Sequence, residues 1–379
     1  MGVREVWQYY SGMKHFYGVY DEVGRKNPFH TESRLEFENW QTSARRELHE
    51  ILGLNLFPAC PAQPELLDTW ELDGLRIERV AISTYPGIRV PLTVILPDKK
   101  NASGKSPVWL HTFGHGGKNQ MVDSFKPRDP SDPLSKLLKS QTLGPGGLIA
   151  LAHKGYIGIA FDSFGSGERY FVDEIPRDVM DIGADNPINN VAVALGTCIL
   201  GIEVMELMRV ADYALSREDC DGRIGVMGTS GGGHESLFFG AADPRVCATA
   251  TSVWFYGFKE SHIGLPHNCS CNYVPGLFPK FDCQDIGALV APRALHVDAG
   301  IRDYLNGRKT GLGNMLIPYY DTQRAFSLYG KEDLLSLNVF DGGHGCPTWN
   351  CEDEQTLRSG DGLLQFATLA MPLEEGAHE

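Results

Sequence analysis

The residues best suited to chemistry lie in the run 223–233, which reads RIGVMGTSGGG. This run holds a Gly-x-Ser-x-Gly pentapeptide centred on Ser230, between an apolar, β-branched stretch and a stretch compatible with a helix. The arrangement is typical of a nucleophile elbow, a sharp strand-to-helix turn that exposes a serine hydroxyl. Small residues on both sides of the serine allow neighbouring chain segments to approach closely. The spacing therefore predicts that Ser230 is a nucleophile.

A serine hydroxyl is a weak nucleophile until an adjacent base takes its proton. In proteins with such an elbow, the order along the chain is serine, acid, histidine. His344 follows the apolar run 337–340, and Gly343 and Gly345 flank it. Because glycines on both sides let the imidazole reach back over the serine, we predict His344 as the general base.

The acid that orients this histidine should follow the strand that precedes the histidine's own strand. Residues 291–303, APRALHVDAGIRD, contain two carboxylates, Asp298 and Asp303. Asp298 lies within the strand or at its end, whereas Asp303 lies in the loop, where its side chain can turn toward His344. We favour Asp303 over Asp298, with Glu260 as a third option after the previous strand.

Two backbone N–H donors are needed to bind a developing oxyanion. The residue directly after the nucleophile, Gly231, supplies the first. The loop 113–117, FGHGG, follows the apolar run 107–112 and is expected to supply the second. We assign this second donor to the N–H of His115, with Gly116 as the alternative.

Apolar runs that alternate with helical patterns must position these residues. Strands are predicted at 76–83, 89–96, 107–112, 156–161, 223–227, 247–253, 293–297 and 335–340. The first two flank a turn and suggest an antiparallel hairpin at the sheet edge. Helices are predicted at 147–154, 197–216, 232–242, 318–329 and 352–369. This alternation predicts an α/β fold with a mostly parallel central sheet flanked by helices, and with its chemistry at the carboxyl ends of the strands.

The hydrophobic pattern of the chain changes near residue 70, where we place a domain boundary. Residues 1–70 carry apolar positions at helical spacing and predict an N-terminal helical extension, and residues 71–379 predict the catalytic α/β domain. Three polar or aromatic stretches interrupt the α/β pattern, at 118–145, 163–196 and 254–288. We expect them to be loop insertions over the site.

Composition limits the partners and the compartment. The 379 residues are 42% hydrophobic and 22% charged, with a net charge of −14, which argues against nucleic acid or an anionic membrane as partner. No apolar stretch reaches the roughly 18 residues of a membrane-spanning helix, and the first ten residues lack the apolar core of a signal peptide. Nine scattered cysteines do not suggest a disulfide framework. We therefore expect a cytoplasmic protein; whether it forms a homo-oligomer stays open.

Five histidines and cysteines form the arrangement most like a metal site: His262, His267, Cys269, Cys271 and Cys283. Zinc sites need four ligands at suitable spacing, and Cys-x-Cys is tighter than the usual Cys-x-x-Cys. We interpret the cluster as the lining of a pocket or lid, and predict no metal site.

Four stretches together resemble the α/β-hydrolase superfamily: 114–117, 161–169, 228–232 and 343–345. They are similar to its acetyl xylan esterase and dienelactone-hydrolase-like branch, over residues 70–370. Dienelactone hydrolases use a cysteine nucleophile, whereas this elbow holds Ser230, and the long N-terminal extension also departs from the minimal fold.

The resemblance implies an α/β-hydrolase fold and acyl transfer to water, with a triad of Ser230, His344 and Asp303 and with no metal or organic cofactor. The expected partner is a small carboxylic ester, such as an acetyl ester of a sugar or related alcohol. Two other interpretations stay open. The same triad could serve C–C bond, lactone or peptide hydrolysis or acyl transfer to another acceptor, and the fold could instead be a non-catalytic binding module.

Overall fold

A single mixed sheet forms the centre of the computed structural model, which describes residues 12–98, 101–112, 114, 125, 145–169, 185–265, 268–344 and 360–374. The strands within these ranges are β1 (Glu65–Leu72), β2 (Leu75–Tyr85), β3 (Ile88–Ile95), β4 (Ser106–Thr112), β5 (Ile157–Phe161), β6 (Cys220–Thr229), β7 (Val246–Ser252), β8 (Ala294–Gly300) and β9 (Leu335–Phe340). Their order is β1-β2-β3-β5-β4-β6-β7-β8-β9. Three neighbouring pairs are antiparallel: β1 with β2, β2 with β3, and β3 with β5. The remaining five pairs in this order, from β5–β4 to β8–β9, are parallel.

Helices cover both faces of this sheet. In the described part of the chain the α-helices are α1 (Gly12–Val23), α2 (Arg34–Ile51), α3 (Pro145–Lys154), α4 (Asp185–Ala194), α5 (Ile199–Ser216), α6 (Gly231–Ala242), α7 (Cys283–Val290), α8 (Gly313–Ser327) and α9 (Gly360–Ala370). Helices α3 and α9 contribute to the core on one face, and α2, α5, α6, α7 and α8 contribute to the core on the other. The predicted α/β class, with a mostly parallel sheet flanked by helices, is confirmed.

The middle strands are buried because helices cover both of their faces. Every residue of β4, SPVWLHT, and of β8, ALHVDAG, is buried. Such continuous runs of apolar and small residues are typical of parallel strands covered on both sides. Each fully buried large aliphatic side chain contributes about 1.5–3 kcal/mol to folding. The carboxyl ends of these strands are therefore rigidly placed, and the loops that follow them inherit fixed starting points.

Strand β1 lies in the stretch predicted to be helical, and it displaces the β2–β3 hairpin from the sheet edge where we expected it. Its sequence, ELLDTWEL, has no alternation of apolar and polar residues, and most of the strand is exposed. An edge strand with neither face fully buried lacks the pattern that identifies strands from sequence. The predicted domain boundary at residue 70 stays a prediction.

The link between the two N-terminal helices is hydrogen-bonded to α7 and to the segment that leads into it. Helix α2 begins at Ser33, whose hydroxyl accepts a hydrogen bond from the Glu36 N–H, and it buries Phe37 and Trp40 among its core residues. Before it, Arg25 binds Asp285 of α7 through paired hydrogen bonds of 2.8 and 3.0 Å. The backbone N–H groups of residues 25–27 also donate to the carbonyls of residues 278–280. These bonds anchor the link between α1 and α2 against α7.

Helices α4 and α5 meet at a sharp bend. Asn189 of α4 accepts a hydrogen bond from the Ile199 N–H at the first residue of α5, and most of α5 is buried against the sheet and α6. Across the described residues, no single helix is long and apolar enough to cross a membrane. The helical segments Pro187–Ala194 and Ile199–Ser216 reach the required length and hydropathy only when they are counted together, and an 87° bend separates them.

Candidate active site

Ser230 occupies a strained turn between β6 and α6. Its φ of 58° and ψ of −121° lie in a region that residues other than glycine rarely adopt. The turn is held because the Ser230 N–H donates to the Ser252 carbonyl at 2.9 Å, and the Ser230 carbonyl accepts from the His234 N–H at 3.0 Å. Strain of this kind is retained where the surroundings over-determine it, often at functional sites. The predicted elbow geometry is therefore present at Ser230.

The turn also depends on the absence of side chains around the serine. A Cβ on Gly228 would lie 2.3 Å from the Gly232 carbonyl oxygen, and a Cβ on Gly232 would lie 2.3 Å from that of Thr112. Both separations are shorter than real Cβ contacts allow, and the atoms met are backbone. Glycine is therefore required at both positions for β4, β6 and α6 to meet at the elbow.

We expect Gly232→Ala to destabilise the fold by about 1–3 kcal/mol and to lower activity, because its methyl group would push α6 away from β4. The matched control is Gly362→Ala in α9, where an added Cβ meets nothing within 4 Å. This second change should leave stability equal or raise it by about 0.5–1 kcal/mol. Urea unfolding of the two variants measures the difference. Equal stabilities would contradict the tight packing at Gly232.

His344 lies between Ser230 and Asp303. The Ser230 Oγ is 2.7 Å from His344 Nε2, and His344 Nδ1 is 3.0 Å from Asp303 Oδ2 and 3.2 Å from Oδ1. A carboxylate can only accept hydrogen bonds, so Nδ1 carries the proton and Nε2 is free to accept from the serine hydroxyl. The structure thus brings together the three side chains that the sequence selected.

Backbone hydrogen bonds join the loop that carries Asp303 to the loop that carries His344. The Ile301 N–H donates to the Phe340 carbonyl at 3.0 Å, and the Arg302 N–H donates to the Gly342 carbonyl at 2.8 Å. Gly300 permits this contact, because a Cβ there would lie 2.4 Å from the Gly343 carbonyl oxygen. The paired loops fix the distance between Asp303 and His344.

Residues that follow Asp303 in the chain also fix its side chain. Its Oδ1 accepts from the Leu305 N–H at 2.9 Å at the start of a short turn, Tyr304–Asn306, and its side chain is only 1% exposed. A buried carboxylate with these partners is held in one orientation toward the imidazole.

The two alternative acids lie elsewhere. Asp298 accepts a 2.7 Å hydrogen bond from Asn338 Nδ2 and lies 3.4 Å from His296 Nε2. The His296 ring packs against Phe366 of α9, on the sheet face away from α6. Glu260 accepts hydrogen bonds from the backbone N–H groups of residues 309 and 310. Neither carboxylate is positioned at His344.

One of the two predicted oxyanion donors lies within the described residues. Gly231 is buried at the first position of α6, directly after Ser230. Gly114, with φ of 67°, brings the loop after β4 against the start of α6, since a Cβ there would lie 2.5 Å from the Gly232 nitrogen. His115, the predicted second donor, and its alternative Gly116 lie outside the described residues.

A cavity of about 180 Å³ opens at Ser230 and His344. Four buried residues, which we call the buried wall, close one side of it: Trp254, Tyr256, Asn272 and Leu305. Tyr304, 61% exposed, also lines the cavity, with its ring 5.5 Å from the His344 ring. None of the described lining residues is Lys, Arg, Asp or Glu. The cavity is small, and its described lining combines aromatic side chains with uncharged polar ones.

The segment after β7 builds the buried wall. Strand β7 ends because Val253 has a φ of 51°, an outlier for a β-branched residue, while its N–H donates to the Asp298 carbonyl at 2.9 Å. The turn sends Trp254 under the elbow helix, where its ring stacks on His234 with centroids 4.0 Å apart. Trp254 Nε1 donates to Asn272 Oδ1 at 2.6 Å, and this hydrogen bond holds two residues of the buried wall together.

Comparison with known proteins extends this picture. The sequence profile of the Abhydrolase family matches residues 24–306, about three quarters of the chain and a range that includes Ser230 and Asp303. The chain belongs to the Abhydrolase family. The match ends before His344, so the place of the histidine in this abhydrolase rests on the geometry above. YtaP of Bacillus subtilis (strain 168), itself an inferred hydrolase, is 25% identical over 272 residues, 69% of this chain and 81% of YtaP.

Solved structures share the α/β-hydrolase fold of this abhydrolase. A protein from Bacteroides fragilis NCTC 9343, assigned by inference as an acetyl xylan esterase, matches with a TM-score of 0.68 at 20% identity over 89% of this chain and 84% of that one. The methylesterase BT1017 matches with a TM-score of 0.65 at 19% identity over 96% and 69% of the two chains. The predicted superfamily is confirmed.

The cluster of histidines and cysteines does not gather into a metal site in the described part of this abhydrolase, where no three His, Cys, Asp or Glu side chains are grouped to hold an ion. His267 lies outside that part. His262 is fully buried among aromatic rings that include Phe258 and Phe278. Cys269 lines the cavity, while Cys271 and Cys283 are buried.

Burial lowers the pKa of His262 from 6.5 to about 4. Between these values the unfolded chain binds a proton that the folded protein excludes, so the free energy of unfolding should fall as the pH drops from 6.5 to 4. This one residue should cost about 3 kcal/mol over that interval. We expect His262→Phe to flatten the slope, as measured by urea unfolding at several pH values.

The matched control for this prediction is His30→Phe, at an exposed position. It is expected to follow the wild-type dependence on pH. A wild-type slope that survives in His262→Phe would mean that other groups cause the acid destabilisation.

Sequence reasoning missed the residues of the buried wall as individuals. It placed the stretch 254–288 over the site but assigned no role to Trp254, Tyr256 or Asn272. A usable signal was present, because residues directly after a parallel strand next to the nucleophile strand lie at the ligand-binding edge of such sheets.

Proposed function

We propose that this abhydrolase is a serine carboxylic-ester hydrolase in which Ser230, His344 and Asp303 act as the catalytic triad. The observation that carries the proposal is the continuous chain of contacts, 2.7 Å from Ser230 to His344 and 3.0 Å from His344 to Asp303, at a serine with φ of 58°. Nucleophile, base and orienting acid at these distances make up the arrangement used in nucleophilic acyl transfer.

Each residue has a defined task in the proposed reaction. His344 Nε2 takes the Ser230 proton as the hydroxyl attacks the ester carbonyl carbon, and Asp303 stabilises the imidazolium and holds its tautomer. His344 then gives the proton to the departing alcohol, which leaves an acyl group on Ser230. Water, activated by the same imidazole, attacks this acyl-enzyme and releases the acid.

The oxyanion of each tetrahedral intermediate requires N–H donors on the side opposite the histidine. We assign these to Gly231 and His115. Gly231 begins a helix, where N–H groups lack intrahelical partners and the helix dipole favours negative charge. The close approach of Gly114 to the start of α6 supports a second donor from the loop after β4. Each donor typically contributes about 2.7–4 kcal/mol to the transition state.

The proposed substrates are small, acetyl-type esters of sugars or related alcohols. A cavity of about 180 Å³ with no formally charged side chain among its described lining residues suits a short, neutral acyl group. Two structural neighbours are named as an acetyl xylan esterase and a methylesterase, and both names refer to cleavage of an ester bond. From these neighbours we infer only that the bond cleaved is an ester. The nucleophile, the base, the orienting acid and the oxyanion donors of this proposal are all groups of the protein chain itself.

A panel of p-nitrophenyl esters from acetyl to octanoyl, combined with labelling by a fluorophosphonate, tests the function. We expect turnover to be highest for acetyl and propionyl esters and the label to be found on the peptide that holds Ser230. Labelling without turnover of any ester would reject the esterase and leave C–C bond, lactone or peptide hydrolysis or acyl transfer. Absence of both would favour a binding module.

A further inference from the structure

Three stretches of the chain without charged residues meet at one surface. No Asp, Glu, Lys, Arg or His occurs at 51–64, 80–88 or 186–202, although 22% of the whole chain is charged. The first stretch leads from α2 to β1, the second covers the end of β2 and the turn into β3, and the third runs from α4 into α5. We call the surface that they share the uncharged face.

Close contacts join the first stretch to the third. Thr197 Oγ1 donates to the Leu52 carbonyl at 2.8 Å, and a Cβ on Gly53 would lie 2.7 Å from the Gly196 carbonyl oxygen. A Cβ on Gly196 would in turn lie 3.9 Å from Leu56 Cδ1. Leu56 therefore adjoins the end of α4.

The first stretch also runs beside the turn between β2 and β3. The Phe57 and Tyr85 rings lie 6.2 Å apart, in an edge-to-face arrangement. Six residues further along each strand direction, the Ser83 N–H donates to the Ala62 carbonyl at 2.6 Å. The three stretches therefore form one continuous surface.

Large apolar side chains on the uncharged face are exposed to solvent. Leu195 is 71% exposed, Val191 62% and Leu56 52%. The Leu195 N–H donates to the Val191 carbonyl, so both side chains project from the same side of the end of α4. Tyr85 and Ile88 are exposed at the turn between β2 and β3. Contiguous exposed apolar surface of this kind marks interaction sites.

The distribution of charge favours a second copy of this chain as the partner. The net charge is −14, so two copies repel each other in most orientations. At the uncharged face they can meet with no like charges opposed, and a surface without charge of either sign is complementary to itself, as a two-fold interface requires. The charged residues that end the first two stretches, Glu65 and Arg89, pair with each other at 3.2 Å. They would lie in the polar rim that surrounds such interfaces.

The extent of the uncharged face also suits a dimer. Most residues at 55–64, 85–88 and 190–196 are exposed, and together they approach the roughly 20–30 residues that each partner contributes to a standard interface. A lipid surface fits less well. Helices that lie on membranes carry Lys or Arg on one face and Trp, Phe or Leu on the other, whereas α4, DNPINNVAVA, contains none of these residues.

We propose that the uncharged face is the interface of a homodimer with two-fold symmetry, in which Leu56, Val191 and Leu195 are buried. The interface bears on the cavity through α4. Asn189 of α4 donates to the Ser270 carbonyl at 3.0 Å, and the neighbouring Cys269 lines the cavity. Burial of α4 between two copies therefore restrains the stretch 254–272, from which most of the buried wall comes.

Sedimentation equilibrium of the wild type and of Leu195→Glu, over about a hundredfold range of protein concentration, tests the proposal. The wild type should sediment at twice the mass of one chain. In a two-fold interface the substitution is present twice, so it places two carboxylates in apolar surroundings. We expect the dissociation constant of the dimer to rise at least about tenfold.

The matched control is Leu35→Glu, at a leucine that is 68% exposed near the start of α2, the opposite end of that helix from the uncharged face. It adds the same charge to the same type of residue and should keep the wild-type mass. Both variants should keep the wild-type circular dichroism spectrum, because the substituted side chains are exposed. Hydrogen exchange with mass spectrometry locates the contact: wild type should protect 55–59 and 190–196, and Leu195→Glu should lose this protection.

The proposal fails if the wild type remains a single chain at every concentration. Equal dissociation constants for Leu195→Glu and Leu35→Glu, or protection confined to other residues, would place the dimer contact elsewhere and reject this interface. Binding of a monomeric wild type to phosphatidylcholine vesicles, lost in Leu195→Glu, would assign the face to lipid instead. These measurements do not use ester turnover, so their outcome is independent of the proposed function.

Discussion

Ser230→Ala is expected to lower kcat for p-nitrophenyl acetate by about 10⁵- to 10⁶-fold, the size of loss that follows removal of the nucleophile from a serine triad. Without Oγ, His344 has no proton to take and no acyl-enzyme can form. A residual rate above the water reaction should remain, since the oxyanion donors still bind the transition state. Steady-state kinetics with highly purified variant, together with loss of fluorophosphonate labelling, measures the effect.

The control for this prediction is Ser327→Ala, near the end of α8, whose hydroxyl donates to the Gln323 carbonyl of its own helix. Both variants should melt within a few degrees of the wild type, and Ser327→Ala should keep full activity. Activity of Ser230→Ala within tenfold of the wild type would reject Ser230 as the nucleophile.

The second large effect is expected for Asp303→Asn, which should lower kcat by about 10⁴-fold. The amide has nearly the shape of the carboxylate and can still accept from the Leu305 N–H, but it cannot stabilise an imidazolium. It can also turn its NH₂ group toward His344 and select the tautomer that leaves no acceptor at Nε2. The pH dependence of kcat/KM should change as well, because it reports the ionisation of the base.

Asp298→Asn is the matched comparison, since Asp298 was the alternative acid from sequence. Its carboxylate is bonded to Asn338, on the sheet face away from α6. Activity should therefore stay within a few fold of the wild type, with some loss of stability from the broken buried hydrogen bond. A larger loss of kcat in Asp298→Asn than in Asp303→Asn would assign the acid to Asp298.

Much of the fold could be predicted because its central strands are continuous apolar runs. Strands β4 and β5, buried over their whole lengths, were each predicted with a one-residue difference. The failures lie where burial is weak or the element is short. Strand β1 is an exposed edge, and α7 has only eight residues. The capping box of Asp282 and Asp285 was a signal for α7 that the sequence analysis did not use.

The chain positions of Ser230, His344 and Asp303 were predictable because local geometry and chain order restrict each of them. The cavity was not predictable from the same information. Trp254 and Asn272 lie 18 positions apart in the chain, and the positive φ of Val253, which directs Trp254 inward, is unusual for a β-branched residue and cannot be read from the sequence. Tertiary packing determines these positions, and the periodicity of the sequence does not predict that packing.

The bonded loops after β8 and β9 bear on how this enzyme could evolve. The Ile301 and Arg302 N–H groups bind the histidine loop directly, so a substitution in either loop disturbs the acid and the base together. The buried wall comes mainly from another stretch of chain, 254–272, which carries neither the acid nor the base. A directed-evolution library for new acyl groups should therefore diversify 254–272 while leaving 300–303 and 340–344 unchanged. Natural drift in substrate preference among relatives is expected to follow the same division.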